Sequence, residues 1–270
     1  MIVHRSVESW VAVKRGLYQQ PLGFVPTMGN LHAGHTSLIS KARKECDVVL
    51  LSIFVNPTQF DDPYDLAQYP RTLQTDLELA KENGVDHVLL PETDQIYSDG
   101  YTYQVHERKL SQSLCGLSRP DHFDGVLSVV MRLLQIAQSS VDPTKQRAYF
   151  GEKDLQQLVL IRNMARAFFL PWTIVSCPTV RESDGLAMSS RNSRLTDDQR
   201  SLAPLLYRTL RESGDALTAL TLLTRVGFRV DYVEDTDLDG RRRRLAAAFL
   251  GNIRLIDNVT LDQEPAGPSL

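Results

Sequence analysis

Apolar residues along this chain follow two alternating rhythms. Nearly unbroken apolar runs, Leu22-Gly-Phe-Val25, Asp47-Val-Val-Leu-Leu-Ser-Ile-Phe-Val-Asn56, Val85-Asp-His-Val-Leu-Leu-Pro91, Ala148-Tyr-Phe-Gly151 and Trp172-Thr-Ile-Val-Ser176, predict strands covered on both faces, as in a parallel sheet. Between them the apolar residues recur every three or four positions: Leu38, Ile39, Ala42 and Cys46; Leu73, Leu77 and Ala80, stopping near Asn83-Gly84; and Val126, Val129, Val130, Leu133, Leu134 and Ala137. A further helical pattern runs over 155–169, and Val3, Val7, Trp10, Val11 and Leu17 predict a leading strand and helix. Strands alternating with helices predict an α/β, doubly wound parallel-sheet (Rossmann-like) N-terminal domain over 1–177. Within it, 102–105 reads as a short strand and 139–145 as an exposed loop. Composition shifts after Pro178, where helices over 202–210 and 217–223 precede strands over 229–233 and 254–257. That order predicts a smaller α+β C-terminal domain over 178–270.

Composition narrows the classes of function. At 270 residues the chain is long enough for one large or two smaller domains, and 42% hydrophobic with 23% charged residues is ordinary for a globular protein. A formal net charge of -3 and a pI near 6.1 argue against nucleic acid as the main partner. The basic run Arg241 to Arg244 reads as a solvated helix face. No apolar stretch is long enough for a membrane span, and the N-terminus lacks the layout of a signal peptide, so a cytoplasmic protein is expected. Cys46, Cys115 and Cys177 have no metal-ligand spacing and read as buried reduced thiols.

Chemistry-bearing residues gather where the predicted strands end. Pro26-Thr-Met-Gly-Asn-Leu-His-Ala-Gly-His35 lies between a strand and a helix, a junction that exposes backbone N–H groups and a positive dipole end to a phosphate. His32 and His35, three apart at the mouth of that helix, lie on one face and suit the stabilisation of charge on a phosphoryl group. The next strand delivers Asn56-Pro-Thr-Gln59, and a later one delivers Gly151-Glu-Lys-Asp154, whose lysine can pair with phosphate oxygens. Asp154 and Gln157 also have the spacing of a helix cap. Gln59 and Gln157 can each donate and accept, which suits a small hydroxy acid. Arg119 offers a charge for phosphate or carboxylate. The hydroxyl-rich segment 181–191, with Ser189, Ser190 and Arg191, reads as a clamp over phosphates or as an interdomain linker.

The first of these strings resembles the His-x-Gly-His signature of the nucleotidylyltransferase superfamily, and its longer form is similar to the pantothenate synthetase (pantoate–β-alanine ligase) family. Phe54-Val-Asn-Pro-Thr-Gln-Phe60, Tyr69-Pro-Arg71, Asp121-His-Phe-Asp-Gly-Val126, Phe150-Gly-Glu-Lys-Asp154 with Gln156-Gln157, 181–192 and Leu255-Ile-Asp-Asn258 follow in that family's order. The resemblance implies ATP-dependent condensation of (R)-pantoate with β-alanine through a pantoyl adenylate, with Mg2+ accompanying ATP as substrate. It assigns ATP contacts to Met28, Gly29, Asn30, Leu31, His32, Ala33, Gly34, His35, Gly151, Glu152, Lys153, Asp154, Val180, Met188, Ser189, Ser190 and Arg191. It assigns pantoate and β-alanine contacts to Gln59 and Gln157, and catalytic roles to His35, His32, Lys153 and Arg119. It implies small-molecule partners only, with no nucleic acid and no membrane, a homodimer, no protein-bound structural metal, and a lid formed by the C-terminal domain. Two departures stand out: a longer 139–145 loop and a short C-terminal domain in which Tyr232-Val-Glu-Asp-Thr-Asp-Leu-Asp-Gly-Arg-Arg242 passes quickly between elements. Plain nucleotidyl transfer, and nucleotide binding without turnover, remain open as alternatives.

Overall fold

The computed structural model describes residues 1–140 and 142–261 and divides the chain into two compact units. One comprises Met1–Glu152 with Leu160–Pro178, and the other comprises Lys153–Val159 with Thr179–Leu270, described as far as Leu261. Val141, within the expected 139–145 loop, lies outside the described residues.

In the larger unit the expected leading strand becomes β1 (Ile2–His4), and the five apolar runs become β2 (Leu22–Thr27), β3 (Val48–Ile53), β4 (His87–Leu89), β5 (Gln146–Gly151) and β6 (Thr173–Cys177). Among the described residues these form a six-stranded sheet in the order β1-β4-β3-β2-β5-β6, with every neighbouring pair parallel. Alternation along β2 and β3 sends Val25, Val49 and Leu51 to one face, where they pack with Leu38, Ile39 and Ala42 of the helix Ala33–Glu45. Phe24 and Leu50 point to the opposite face and are equally buried, which is why both strands read as continuous apolar runs. The strand order reverses between β2 and β5, which are paired from Leu22↔Gln146 to Phe24↔Ala148. In such sheets a crevice opens outside the carboxyl ends of the two strands at the reversal, here Thr27 and Gly151.

The expected strand at 102–105 does not form. Side chains satisfy its backbone instead: Asp99 accepts from the Tyr103 N–H at 2.8 Å, Ser128 from the Val105 N–H at 2.9 Å, and Arg132 donates to the Tyr103 carbonyl at 2.8 Å. The three cysteines are free and buried, as their spacing implied.

In the smaller unit the expected 202–210 helix is interrupted. Helices span Asp197–Leu202 and Leu205–Glu212, with Pro204 between them, because proline has no N–H to continue the first helix and fits the start of a second. A third helix, Ala216–Arg225, leads to the antiparallel strands β7 (Arg229–Leu238), β8 (Arg241–Leu250) and β9 (Ile253–Thr260). Leu206, Leu210, Leu223 and Phe228 pack with Ala246, Ala248 and Leu250 to make this unit's core.

The Arg241–Arg244 run is therefore a strand start and not a solvated helix face. Asp239 and Gly240, with φ of 57° and 73°, make the two-residue hairpin turn that joins β7 to β8. Strand alternation then drives Arg244 inward, where it is 1% exposed. Its guanidinium meets both oxygens of Asp235 at 2.6 and 2.8 Å and donates to the carbonyls of Leu210 and Ser213. The Asp-Gly pair is the signal that marks this hairpin, and the apparent shortness of the segment between 232 and 242 is the tightness of that turn.

One buried pair makes the β1–β4 edge acid-sensitive. His4 Nε2 lies 3.1 Å from His87 Nδ1, His4 Nδ1 lies 2.8 Å from the Ser9 hydroxyl, and Trp10 packs edge-on to both rings. Burial lowers both imidazoles below the ordinary value of 6.5. The unfolded chain therefore binds more protons than the folded one as pH falls below 6.5, so this pair's contribution is present above that pH and lost below it. Urea midpoints should fall between pH 7.5 and pH 5, and His87→Leu should flatten that dependence. An unchanged slope in the variant would contradict the assignment.

Candidate functional site

The site is built outward from the end of β2. Thr27 donates its hydroxyl to the Ser52 carbonyl at 2.8 Å and accepts from the Gly29 N–H at 3.2 Å, which turns the chain as the strand ends. Gly29 and Asn30 then take left-handed φ angles of 81° and 49°. Glycine suits the first position twice over, because a Cβ there would also lie 3.0 Å from Asp76 Oδ2 and 3.1 Å from Ile53 Cγ2. The next two amides point into the protein: Asn30 N–H donates to Asp76 Oδ2 at 2.9 Å and Leu31 N–H to Asp76 Oδ1 at 2.8 Å.

His32 is the N-cap of the helix Ala33–Glu45 and shares a reciprocal cap with His35. The Gly34 N–H donates to His32 Nδ1 at 3.1 Å, and the His32 N–H donates to His35 Nδ1 at 3.3 Å. A backbone N–H only donates, so both Nδ1 atoms are acceptors, and each neutral ring carries its proton on Nε2. The two rings lie 4.1 Å apart between centroids. This changes the expectation of open amides at the strand–helix junction. The N–H groups of Gly29, Asn30, Leu31, His32 and Gly34 all have internal acceptors.

A second assembly follows β3. Asn56, 1% exposed, accepts at Oδ1 from the Tyr97 hydroxyl at 2.6 Å, the Thr58 hydroxyl at 3.0 Å and the Thr58 N–H at 3.4 Å. Its amide group donates to Gln59 Oε1 at 2.9 Å and to the Gly125 carbonyl at 3.2 Å. With its oxygen held this way, the Gln59 side chain has its NH2 group left to donate, which suits a carboxylate or hydroxyl oxygen. Burial pushes the Tyr97 phenol up to about 12, so it stays a hydrogen-bond donor at ordinary pH. The Gln59 carbonyl accepts from His122 Nδ1 at 2.7 Å and from Arg119 at 3.2 Å, while Arg119 also donates to His122 Nε2 at 3.2 Å. Arg119 pairs with Asp61 at 2.6 Å. Burial alone would raise the Asp61 carboxyl, but the hydrogen bond and charge of Arg119 hold it below the ordinary carboxylate value. Arg119 and Gln59 are thus brought together, with the arginine holding the turn that carries the glutamine.

Gly151 ends β5 and Glu152 follows it in the larger unit, at the reversal of strand order. The other expected residues belong to the smaller unit. Lys153 is partly buried, lies 3.6 Å from Asp154, and its carbonyl accepts from Asn258 at 3.2 Å. Gln157 lies in the helix Leu155–Ala167, half-buried. Val180 and Met188 face each other across a small hairpin, the Met188 N–H donating to the Val180 carbonyl at 3.0 Å. Arg181 pairs with both oxygens of Asp257 at 2.6 and 2.8 Å and stacks 3.5 Å over the Tyr207 ring. Arg200 ties the hairpin tip through Glu182 and Asp184. The serine-arginine segment is thus carried by an internally bonded hairpin, with Ser189, Ser190 and Arg191 half-buried at its exit. Among the described residues no group of three or more His, Cys, Asp or Glu side chains is placed to hold a metal ion, and no helix is long and apolar enough to cross a membrane.

Asp76, His122 and Tyr97 were not legible as parts of this site. Asp76 carries no local motif, since its partners lie 46 and 45 residues back in sequence, at Asn30 and Leu31. The His122 signal was present in the Asp121-to-Val126 string but had no assigned partner.

The chain is similar to known proteins in both sequence and architecture. A family model described as pantoate-beta-alanine ligase matches residues 2–260. A pantothenate synthetase from Bdellovibrio bacteriovorus is 53% identical over 240 residues, covering 89% of this chain and 92% of that protein. One from Legionella pneumophila is 47% identical over 97% of this chain and 100% of its own length. Among solved structures, the pantoate-beta-alanine ligase from Francisella tularensis, complexed with beta-gamma ATP and beta-alanine, is 38% identical with a TM-score of 0.89, covering 96% of this chain and 97% of that one. The pantothenate synthetase of Thermus thermophilus gives a TM-score of 0.86 at 38% identity, covering 96% and 99% respectively.

The packing of the Gln59 turn yields a direct test. A Cβ at Gly125 would lie 2.2 Å from the Thr58 carbonyl oxygen and 2.8 Å from Gln59 Cα, both backbone atoms that cannot swing aside. Gly125→Ala should therefore destabilise the chain by about 1–3 kcal/mol, read as a lowered urea midpoint. A midpoint equal to that of the parent would contradict this close packing.

Proposed function

The chain belongs to the pantoate-beta-alanine ligase family, and from that premise we propose that it condenses (R)-pantoate with β-alanine at the expense of ATP. In the first step a pantoate carboxylate oxygen attacks the α-phosphorus, the bond to the β-phosphate oxygen breaks, and pyrophosphate leaves. In the second step the β-alanine amine attacks the acyl carbon of the pantoyl adenylate, loses a proton and expels AMP, giving pantothenate. ATP enters with Mg2+ as its substrate complex.

The observation that carries this reading is the pair of capped imidazoles at the carboxyl end of β2, beside the strand-order reversal. Their Nε2–H groups are donors for oxygens whose charge grows as pyrophosphate departs, which is where transition-state stabilisation is most effective. Met28, Gly29, Asn30, Leu31, Ala33 and Gly34 complete that turn's share of the nucleotide site. Gly151, Glu152, Lys153, Asp154, Val180, Met188, Ser189, Ser190 and Arg191 supply the rest, with Lys153 as the point charge on the phosphates. Gln59, its NH2 group oriented by Asn56, and Gln157 hold pantoate, and Gln59 also serves β-alanine. Arg119 acts beside Gln59. The mixed anhydride is sensitive to water, so the reading includes a shielding role for 178–270. A homodimer working in the cytoplasm completes it.

Following AMP and pyrophosphate with each substrate omitted in turn tests the reaction. Condensation requires pantoate and β-alanine together for sustained AMP release. Pyrophosphate formed with some other acceptor would indicate plain nucleotidyl transfer, and ATP binding without products would indicate a binding protein. His35→Ala should lower kcat by roughly 10²–10³-fold while leaving the KM for pantoate nearly unchanged, because its hydrogen bond strengthens only as charge develops. Equal losses in both constants would remove His35 from that role.

A further inference from the structure

Asp76 has no assigned part in the reaction, yet its environment is unusual. It sits in the first turns of the helix Leu73–Glu82, is 1% exposed, and among the described residues has no cationic partner. Its carboxylate is instead filled by three donors: the N–H groups of Asn30 and Leu31 and, at 3.2 Å, the hydroxyl of Thr72. A buried carboxylate is stable only when its lone pairs are met in this way, so the contact is strongly directional.

We propose that Asp76 is a positioning residue for the phosphoryl-transfer step, clamping the Gly29–Leu31 turn so that His32 and His35 present their Nε2–H groups to the displaced phosphates. The inference rests on the reading of function given above. Three observations support it. Asn30 follows Gly29 into a left-handed conformation that a non-glycine residue adopts infrequently, so an external restraint on the turn fixes it. The two oxygens of Asp76 bind the two N–H groups that immediately follow Gly29, one each. The backbone leaving Leu31 is that of His32, whose ring and N–H form the reciprocal cap with His35. Any rotation of the turn therefore carries both imidazoles with it. The direction of the amides also decides between two ways of meeting phosphate. Amides already donating to a protein carboxylate cannot donate to the ligand, and a buried negative charge beneath them makes that spot unfavourable for phosphate. Asp76 thereby directs the nucleotide's negative charge toward the imidazoles and the helix start.

The two half-reactions separate a positioning role from simple support of the fold. Charge builds on departing pyrophosphate only in adenylation, so a misaligned imidazole pair harms that step most. In Asp76→Asn, which keeps the size of the side chain but presents an NH2 group to one of the two amides, pantoate-dependent ATP–pyrophosphate exchange should fall roughly 10- to 100-fold. Aminolysis of supplied pantoyl adenylate by β-alanine should stay within about threefold of the parent. Amide hydrogen exchange should show lost protection at Asn30 and Leu31 with the helix Ala33–Glu45 still protected, in Asp76→Asn and in Asp76→Ala alike. Equal losses in both half-reactions, unchanged exchange kinetics in Asp76→Asn, or retained protection at residues 30 and 31 would each overturn the proposal. Absence of ATP–pyrophosphate exchange in the parent protein would instead overturn the reading of function, and amide protection would still decide whether Asp76 holds the turn.

Discussion

Two peptide N–H groups, those of Asn30 and Leu31, face inward because a carboxylate lies beneath them. Most of what the larger unit offers as a site depends on that inversion. A strand that ends at the reversal of a parallel sheet has a crevice beside it by construction, but the sheet alone does not say which groups line the crevice. Here the turn after β2 is held from below by Asp76 and from the side by Thr27, so its upper surface is built from side chains, chiefly two imidazoles.

Those imidazoles use their two ring nitrogens differently. Their Nδ1 atoms close the first turn of the helix Ala33–Glu45, a structural duty usually given to serine, threonine or aspartate. Their Nε2 atoms are left to carry the protons, because the capping bonds determine which nitrogen of each neutral ring bears one. A serine in the cap position would satisfy the helix equally well and offer nothing comparable to a phosphate.

The Gln59 turn follows the same logic with different parts. A glutamine amide is ambiguous, since either end can face a ligand. The Thr58 N–H, which can only donate, fixes Asn56 Oδ1 as the acceptor, and the Asn56 NH2 group then meets Gln59 Oε1 and removes the ambiguity. Gly125 lets the helix His122–Ala137 approach the turn's backbone closely enough for the Asn56 amide to reach the Gly125 carbonyl. His122 and Arg119 then hold the Gln59 carbonyl from the other side.

The alternation of unbroken apolar runs with helical spacing was enough to determine the α/β class, five of the six parallel strands by their own apolar runs, and the position of the histidine-bearing turn between a strand and a helix. Those properties are written in windows of about ten residues or fewer, because strand and helix periods are local. Local reading failed where distant groups decide the outcome. Residues 102–105 lack a neighbouring strand and bond to Asp99, Ser128 and Arg132; Pro204 divides one apolar pattern into two helices; and Arg241 to Arg244 enter a strand in which Arg244 is buried against Asp235. The Asp239-Gly240 turn was a local signal for that strand, masked by the charge of the arginines beside it. Which strands adjoin, which amides are already bonded, and which carboxylate lies under the signature turn depend on pairings such as Asp76 with Asn30, 46 residues apart. Only the closed chain brings such groups within hydrogen-bonding distance, so only the tertiary structure could decide them.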